Sequence, residues 1–295
     1  MKKAWGILVL AVLLGSAWPV LAEPLKVFVS IPPQQYIVRT VAGDLARVSV
    51  LVPPGADPHT YEPKPRQMVE LSRARLYFAL GLPFERVWLP KVTKDLPGLT
   101  VVHMEADIEQ PAGHDEDRDH EHKEAHGHNH GHAHQGDPHV WTSPPLVRIM
   151  ARATAQALAR VDPAHAAEYA AGQAKLEAQM DALDAEIKAM FKGLEGRSFL
   201  VFHPAWGHFA RAYGLRQIAV EVEGKEPKPA QLKELIEEGR VLGARVVLVQ
   251  PQFSRRSAET VARALPGRVV VADPLAEDLP ANLRRVATEI REALR

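Results

Sequence analysis

The sequence predicts an α/β protein of two lobes, each a mostly parallel sheet flanked by helices. Three observations carry that expectation. Short β-branched runs alternate with helical stretches along the chain, the pattern that builds parallel sheets. One long helical stretch, residues 163–192, separates two such series. The chain has 295 residues, a length that favours two cores over one.

The chain opens with Met1-Lys2-Lys3, an apolar run over residues 4–14, and Val20-Leu21-Ala22 before Glu23. A basic start, a short apolar core and small residues at the cleavage positions describe a secretory signal peptide over residues 1–22. The apolar core is shorter than the roughly 20 residues a membrane span requires. The chain contains no cysteine, which excludes a lipid-anchored N-terminus, disulfides and thiolate metal ligands. The formal net charge is zero, giving no reason to expect nucleic acid or an anionic membrane surface as partner.

Residues 23–162 form the expected first lobe. Lys26-Val27-Phe28-Val29-Ser30 reads as a buried strand closed by Pro32-Pro33, followed by a helix over residues 34–42 that ends at Gly43. Residues 47–52 form a second strand and run into Pro53-Pro54-Gly55-Ala56-Asp57-Pro58-His59, a stiff, irregular loop. A helix after Pro65 turns Met68, Leu71 and Ala74 inward. Strands follow at residues 76–79 and 100–103. The stretch of about residues 105–136 is rich in histidine and poor in apolar residues, so it is expected to be a disordered loop. His139 stands just beyond it, between the turn dipeptide Asp137-Pro138 and the apolar pair Val140-Trp141. A helix over residues 144–161 ends the lobe.

Asp162-Pro163 fits an N-cap with proline at the first helical position. The linking helix, residues 163–193, carries Tyr169, Leu176, Met180, Leu183, Ile187 and Met190 at three- and four-residue steps. At 1.5 Å per residue it spans roughly 45 Å, enough to cross one domain and join another. A dimeric coiled coil would carry ordered opposing charges on its polar face, which here is rich in alanine. The chain is expected to act as a monomer.

Residues 194–295 repeat the α/β logic. Strands are expected at residues 198–202, 218–222, 246–249 and 269–272, with helices over residues 205–213, 229–242, 255–265 and 280–294. Ligands of open α/β sheets bind beyond the carboxyl ends of the strands. That address holds His59, His139, His203 and Asp273, two from each half, so a site between the lobes can close around one ion. Three imidazoles and a carboxylate suit a four-coordinate divalent cation of the zinc type. His103, His165 and His208 are set aside, because His165 falls in the first turn of an exposed helix and His208 within a short one.

Four motifs, Pro53-Pro54-Gly55-Ala56-Asp57-Pro58-His59-Thr60-Tyr61-Glu62-Pro63, Asp137-Pro138-His139-Val140-Trp141, Phe202-His203-Pro204-Ala205-Trp206-Gly207 and Val271-Ala272-Asp273-Pro274-Leu275, come in one order along the chain. In them the chain resembles the zinc and manganese substrate-binding proteins of bacterial ABC importers. The resemblance implies two α/β lobes bridged by one rigid helix, with the metal in the interlobe cleft and His59, His139 and His203 as its ligands. It implies Asp273 or water at the fourth position. It further implies a periplasmic protein that captures Zn²⁺ as cargo and passes it to a membrane permease. Histidine rather than glutamate at position 203, and the histidine-rich loop, favour zinc over Mn²⁺ or Fe²⁺. Competing classes are a zinc-dependent hydrolase, for which no general-base or nucleophile motif stands near the ligands, and a periplasmic zinc buffer centred on the loop. The expected reading is therefore not an enzyme.

Overall fold

The computed structural model describes residues 23–109, 136–221, 228–252, 259, 263–264 and 267–295. The signal-peptide stretch, nearly all of the histidine tract and most of the helix expected over residues 255–265 lie outside the described residues. The first sheet contains β1 (Leu25–Val29), β2 (Ala46–Val50), β3 (Leu76–Ala79) and β4 (Thr100–His103). The second contains β5 (Ser198–Val201), β6 (Arg216–Ala219), β7 (Val246–Val249) and β8 (Arg268–Val271). Their orders are β2-β1-β3-β4 and β6-β5-β7-β8, and every pairing is parallel. In each sheet the chain steps outward once and then returns past its first strand. The crevice that forms at such a reversal is where open α/β sheets place their ligands.

Burial explains the strand choice. All four residues of β3, β5 and β7 are buried, as expected of parallel strands covered on both faces. The first lobe also holds α1 (Pro32–Ala42), α2 (Pro65–Leu71), α3 (Pro83–Asp95) and α4 (Pro144–Val161). Pro32 and Pro33 form the first turn of α1 rather than the end of the preceding strand, because proline tolerates a first turn whose N–H groups are unbonded anyway. α3 stands where no helix was expected. Pro90 lies inside it, and an interior proline ordinarily argues against a helix; the buried Phe84, Leu89 and Val92 hold it in place.

The long helix is α5 (Ala166–Phe191), with the expected stripe of Tyr169, Leu176, Met180, Leu183 and Ile187 turned inward. Its start differs from the expectation. Pro163 opens a separate 3-10 turn, Pro163–His165, before the α-helix begins. Asp162 does not cap it through the backbone; its carboxylate accepts from the His165 ring and the Tyr169 hydroxyl, each at 2.7 Å. α1 and α4 pack along α5, and the final helix of the chain, residues Leu279–Leu294, packs on it from the second lobe. Gly172 makes the approach to α1 possible, since a Cβ there would lie 2.8 Å from the Val41 Cα. One apolar cluster runs from the first sheet through α5 into the second lobe. The lobes are thus joined by continuous packing as well as by the chain itself. Among the described residues, no helix is long and apolar enough to cross a membrane.

Candidate metal site

The three predicted histidines meet. His59 follows β2, His139 follows β4 and His203 follows β5, and one ring nitrogen of each lies within 4.8 Å of those of the other two. Ring centroids are 4.6 Å apart for His59 and His203, 5.2 Å for His139 and His203, and 5.7 Å for His59 and His139. A cavity of about 20 Å³ lies among them, bordered also by Asp57, Trp141, Gln250, Gln252 and Leu275. That volume suits one ion or one water.

Two of the histidines are set by the same device. Asp57-Pro58-His59 and Asp137-Pro138-His139 are turns in which the aspartate Oδ1 accepts the backbone N–H of the histidine two residues on, at 2.9 and 3.0 Å. Such turns are built by a side chain that mimics a backbone acceptor, and proline stiffens them. Gln67 holds the His59 loop on both flanks: its Nε2 donates to Leu51 O, and its Oε1 accepts from Lys64 N and the Tyr61 hydroxyl. On the other side, Trp141 is fully buried and its Nε1–H donates to Pro274 O at 2.7 Å. That bond ties the His139 segment to the second lobe.

The orientation of each ring follows from its carboxylate. His139 Nδ1 bonds Asp137 Oδ1 at 2.7 Å, and His203 Nδ1 bonds Glu221 Oε1 at 2.7 Å. An ionised carboxylate only accepts, so both Nδ1 atoms carry a proton and each ring turns its Nε2 inward. Those Nε2 atoms lie 3.4 Å apart. Burial opposes ionisation of Asp137, but the charge and hydrogen bond of His139, with help from His208, bring its carboxyl down to about 2. His59 has the opposite bias: burial, then repulsion from His203 and His139, lowers it to about 4. At neutral pH it is an uncharged donor. The His203 backbone is fixed by Gln250, whose Nε2 donates to its carbonyl at 2.9 Å.

Asp273 is not brought into this cluster. It belongs to a third turn of the same form, Asp273-Pro274-Leu275, in which its Oδ1 accepts from Leu275 N at 2.9 Å. Here leucine stands where the other two turns carry histidine, and the leucine borders the cavity. The Asp273 Oδ1 also accepts from the Nε2 of Gln252 at 3.4 Å, a residue that borders the cavity. The histidines set aside remain outside: His103 bonds Glu105 on the surface, and His165 bonds Asp162. Glu221 and Gln250 were not singled out in the sequence, yet both stand just past strand ends, the rule that selected the ligands. A larger hollow of about 440 Å³ beside Lys188, Lys192 and Tyr213 is distant in kind, holding no histidine.

Known proteins resemble the chain in both sequence and structure. The family model described as zinc-uptake complex component A, periplasmic, matches residues 27–293. The high-affinity zinc uptake system protein ZnuA of Paracoccus denitrificans (strain Pd 1222) is 35% identical over 263 residues, covering 79% of this chain and 80% of that protein. The protein of the same description from Bacillus subtilis (strain 168) is 27% identical over 257 residues, covering 86% and 79%. A crystal structure of ZnuA superposes with a TM-score of 0.83 at 38% identity, covering 92% of this chain and 100% of that one. A ZnuA deletion mutant solved with zinc bound gives a TM-score of 0.80 at 39% identity, covering 92% and 98%.

Proposed function

Because the chain belongs to the family of periplasmic zinc-uptake complex component A proteins, we propose that His59, His139 and His203 are the ligands that hold its zinc cargo. The observation that carries this reading is the 3.4 Å between the inward-facing Nε2 atoms of His139 and His203. Two nitrogens on a tetrahedral zinc, each at about 2.0–2.1 Å from it, stand about 3.3 Å apart. A cation between the two nitrogens would accept a lone pair from each. The carboxylates behind the rings raise ligand basicity and fix ring direction, as in other histidine–zinc sites. Water or the Asp273 carboxylate completes the fourth position, the Asp273 Oδ1 being engaged in its own turn.

The protein binds Zn²⁺ as the periplasmic component of an ABC importer. Delivery to the membrane permease, action as a monomer, and export by cleavage after Ala22 are parts of the same proposal. So is the division into a first lobe (residues 23–162), a linking helix (163–193) and a second lobe (194–295). A cavity near 20 Å³ supports transport rather than hydrolysis, for it holds an ion without room for an organic substrate.

The deciding experiment is calorimetric titration of metal-stripped protein with Zn²⁺. His59→Ala, His139→Ala and His203→Ala should each weaken the tight site by a hundredfold or more, and His103→Ala should leave it unchanged. Equal losses in all four variants would overturn the assignment.

A further inference from the structure

We propose that His208, in the second lobe, is a positioning residue for His139, in the first, so that the first lobe holds zinc firmly only while the second lobe is docked against it. The inference rests on the reading of His59, His139 and His203 as zinc ligands.

His208 lies in α6 (Gly207–Ala212), a helix attached to the second sheet. It is 3% exposed, although histidine is not a typical core residue. Its hydrogen bonds explain the burial. Nε2–H donates to the backbone carbonyl of Asp137 at 2.8 Å, and Nδ1 accepts from the Arg211 guanidinium at 3.2 Å. A carbonyl only accepts and a guanidinium only donates, so the two neighbours fix which ring nitrogen donates and which accepts. Nε2 also stands 3.9 Å from Asp137 Oδ2.

The residue before it completes the grip. A Cβ at Gly207 would come within 2.6 Å of Asp137 Oδ2, so any larger residue at the start of α6 would have to displace the carboxylate. Asp137 is therefore held by the second lobe at its carbonyl, through His208, while Gly207 leaves the space that its carboxylate occupies. The other carboxylate oxygen, Oδ1, receives both the backbone N–H and the ring Nδ1–H of His139. Whatever fixes Asp137 thereby fixes the direction of the His139 lone pair. His208 itself is neither in the three-histidine cluster nor on the cavity wall, which separates positioning from ligation. Drawing the lobes apart would remove His203 directly and would also release Asp137, loosening the ligand that stays behind.

The test compares His208→Gln, which keeps an N–H donor, with His208→Phe, which keeps the ring shape and loses the donor. His208→Leu, smaller than the ring it replaces, is a second apolar variant should phenylalanine not be accommodated. Zinc affinity is read by chelator competition, ligand geometry by the visible absorption of Co²⁺-substituted protein, and folding by the thermal midpoint without metal. The apolar variants should bind zinc about tenfold more weakly, the low end for loss of a supporting hydrogen bond, with shifted Co²⁺ bands. His208→Gln should stay within threefold of the parent with an unshifted spectrum. Equal losses for all three variants in step with their thermal midpoints, or wild-type binding by the apolar ones, would overturn the inference. His59→Ala, measured alongside, separates the two levels. If it still binds one zinc tightly, the three-histidine site itself is wrong; if it loses zinc while the apolar variants bind normally, only the role of His208 fails.

Discussion

Gly172 of α5 lies against the carbonyl group of Val41 at the end of α1. A Cβ at Gly172 would overlap that carbonyl and lie 2.8 Å from the Val41 Cα. In an unencumbered helix, glycine to alanine stabilises by roughly 0.5–1 kcal/mol. Here the obstacle is backbone on both sides, which no rotamer change relieves, so overpacking dominates at about 1–3 kcal/mol. Gly172→Ala should lower the urea midpoint; a raised midpoint would mean that α1 and α5 part freely.

The supporting carboxylates should matter nearly as much as the ligands. Asp137→Asn and Glu221→Gln each leave three imidazoles in place, yet each replaces the charged acceptor behind a ring with a neutral one and so lowers that ring's basicity. Zinc affinity should fall about 10–100-fold in either variant. Chelator competition is the measurement, and a change below twofold would detach ring basicity from binding.

Asp273→Asn should behave differently. Asparagine still offers Leu275 N an acceptor, so the turn persists and zinc affinity should stay within about threefold. A loss comparable to that of His203→Ala would put the Asp273 carboxylate on the metal after all.

Stability of the metal-free protein should depend on two buried groups with opposite signs. His59 falls from an ordinary value of about 6.5 to about 4. Between those values the unfolded chain holds a proton that the folded one lacks, and stability rises with pH by at most about 1.4 kcal/mol per unit. This contribution is present above about 6.5 and lost as pH falls through about 4. Glu85, bonded to Ser30 and to the backbone N–H groups of Leu80 and Leu82, is raised to about 7, chiefly by burial. Its contribution is present below about 4.5 and lost as pH rises through about 7. The two slopes oppose each other between pH 5 and 6.5. His59→Gln removes the first, so its urea midpoint should decline with rising pH across that window while the parent's stays nearly level. Matching profiles would refute the His59 assignment.

The histidine tract gives the last prediction. Composition predicts disorder for the tract, and imidazoles on such a segment must be ordered before they chelate, at an entropy cost that opposes binding. The cleft histidines are ordered by folding. Removing residues 113–135 should therefore abolish weaker zinc binding in calorimetry and leave one tight ion; loss of the tight ion would move the primary site into the tract. Tethered ligands raise local ion concentration, so loading at sub-micromolar zinc should also slow.

Much of this architecture is legible from residues alone, because parallel strands buried on both faces leave unmistakable runs such as Val246-Val247-Leu248-Val249. The clustering of His59, His139 and His203 was legible because strand ends share one address in an open sheet. What escaped the sequence depends on contacts between distant segments. Pro90 concealed α3, whose Trp88 matters only once Tyr77 of β3 is there to meet it. Asp162 looked like a backbone cap until the His165 and Tyr169 rings claimed its carboxylate. Asp273 shares the address of the histidines, but its turn with Leu275 could not be read from spacing alone. His208 looked like a residue of a short helix, and only the meeting of α6 with Asp137 gives it a place beside the site.

The donor set has a chemical consequence. A zinc site made with cysteine is open to attack at sulfur, since thiolates climb from sulfenic to sulfonic acids and release their metal. This chain has no cysteine, and its clustered donors are three imidazole nitrogens. Peroxide at levels that empty thiolate sites should therefore leave cargo capture intact. Zinc loading can then report how much metal is outside, independent of the redox state of the compartment.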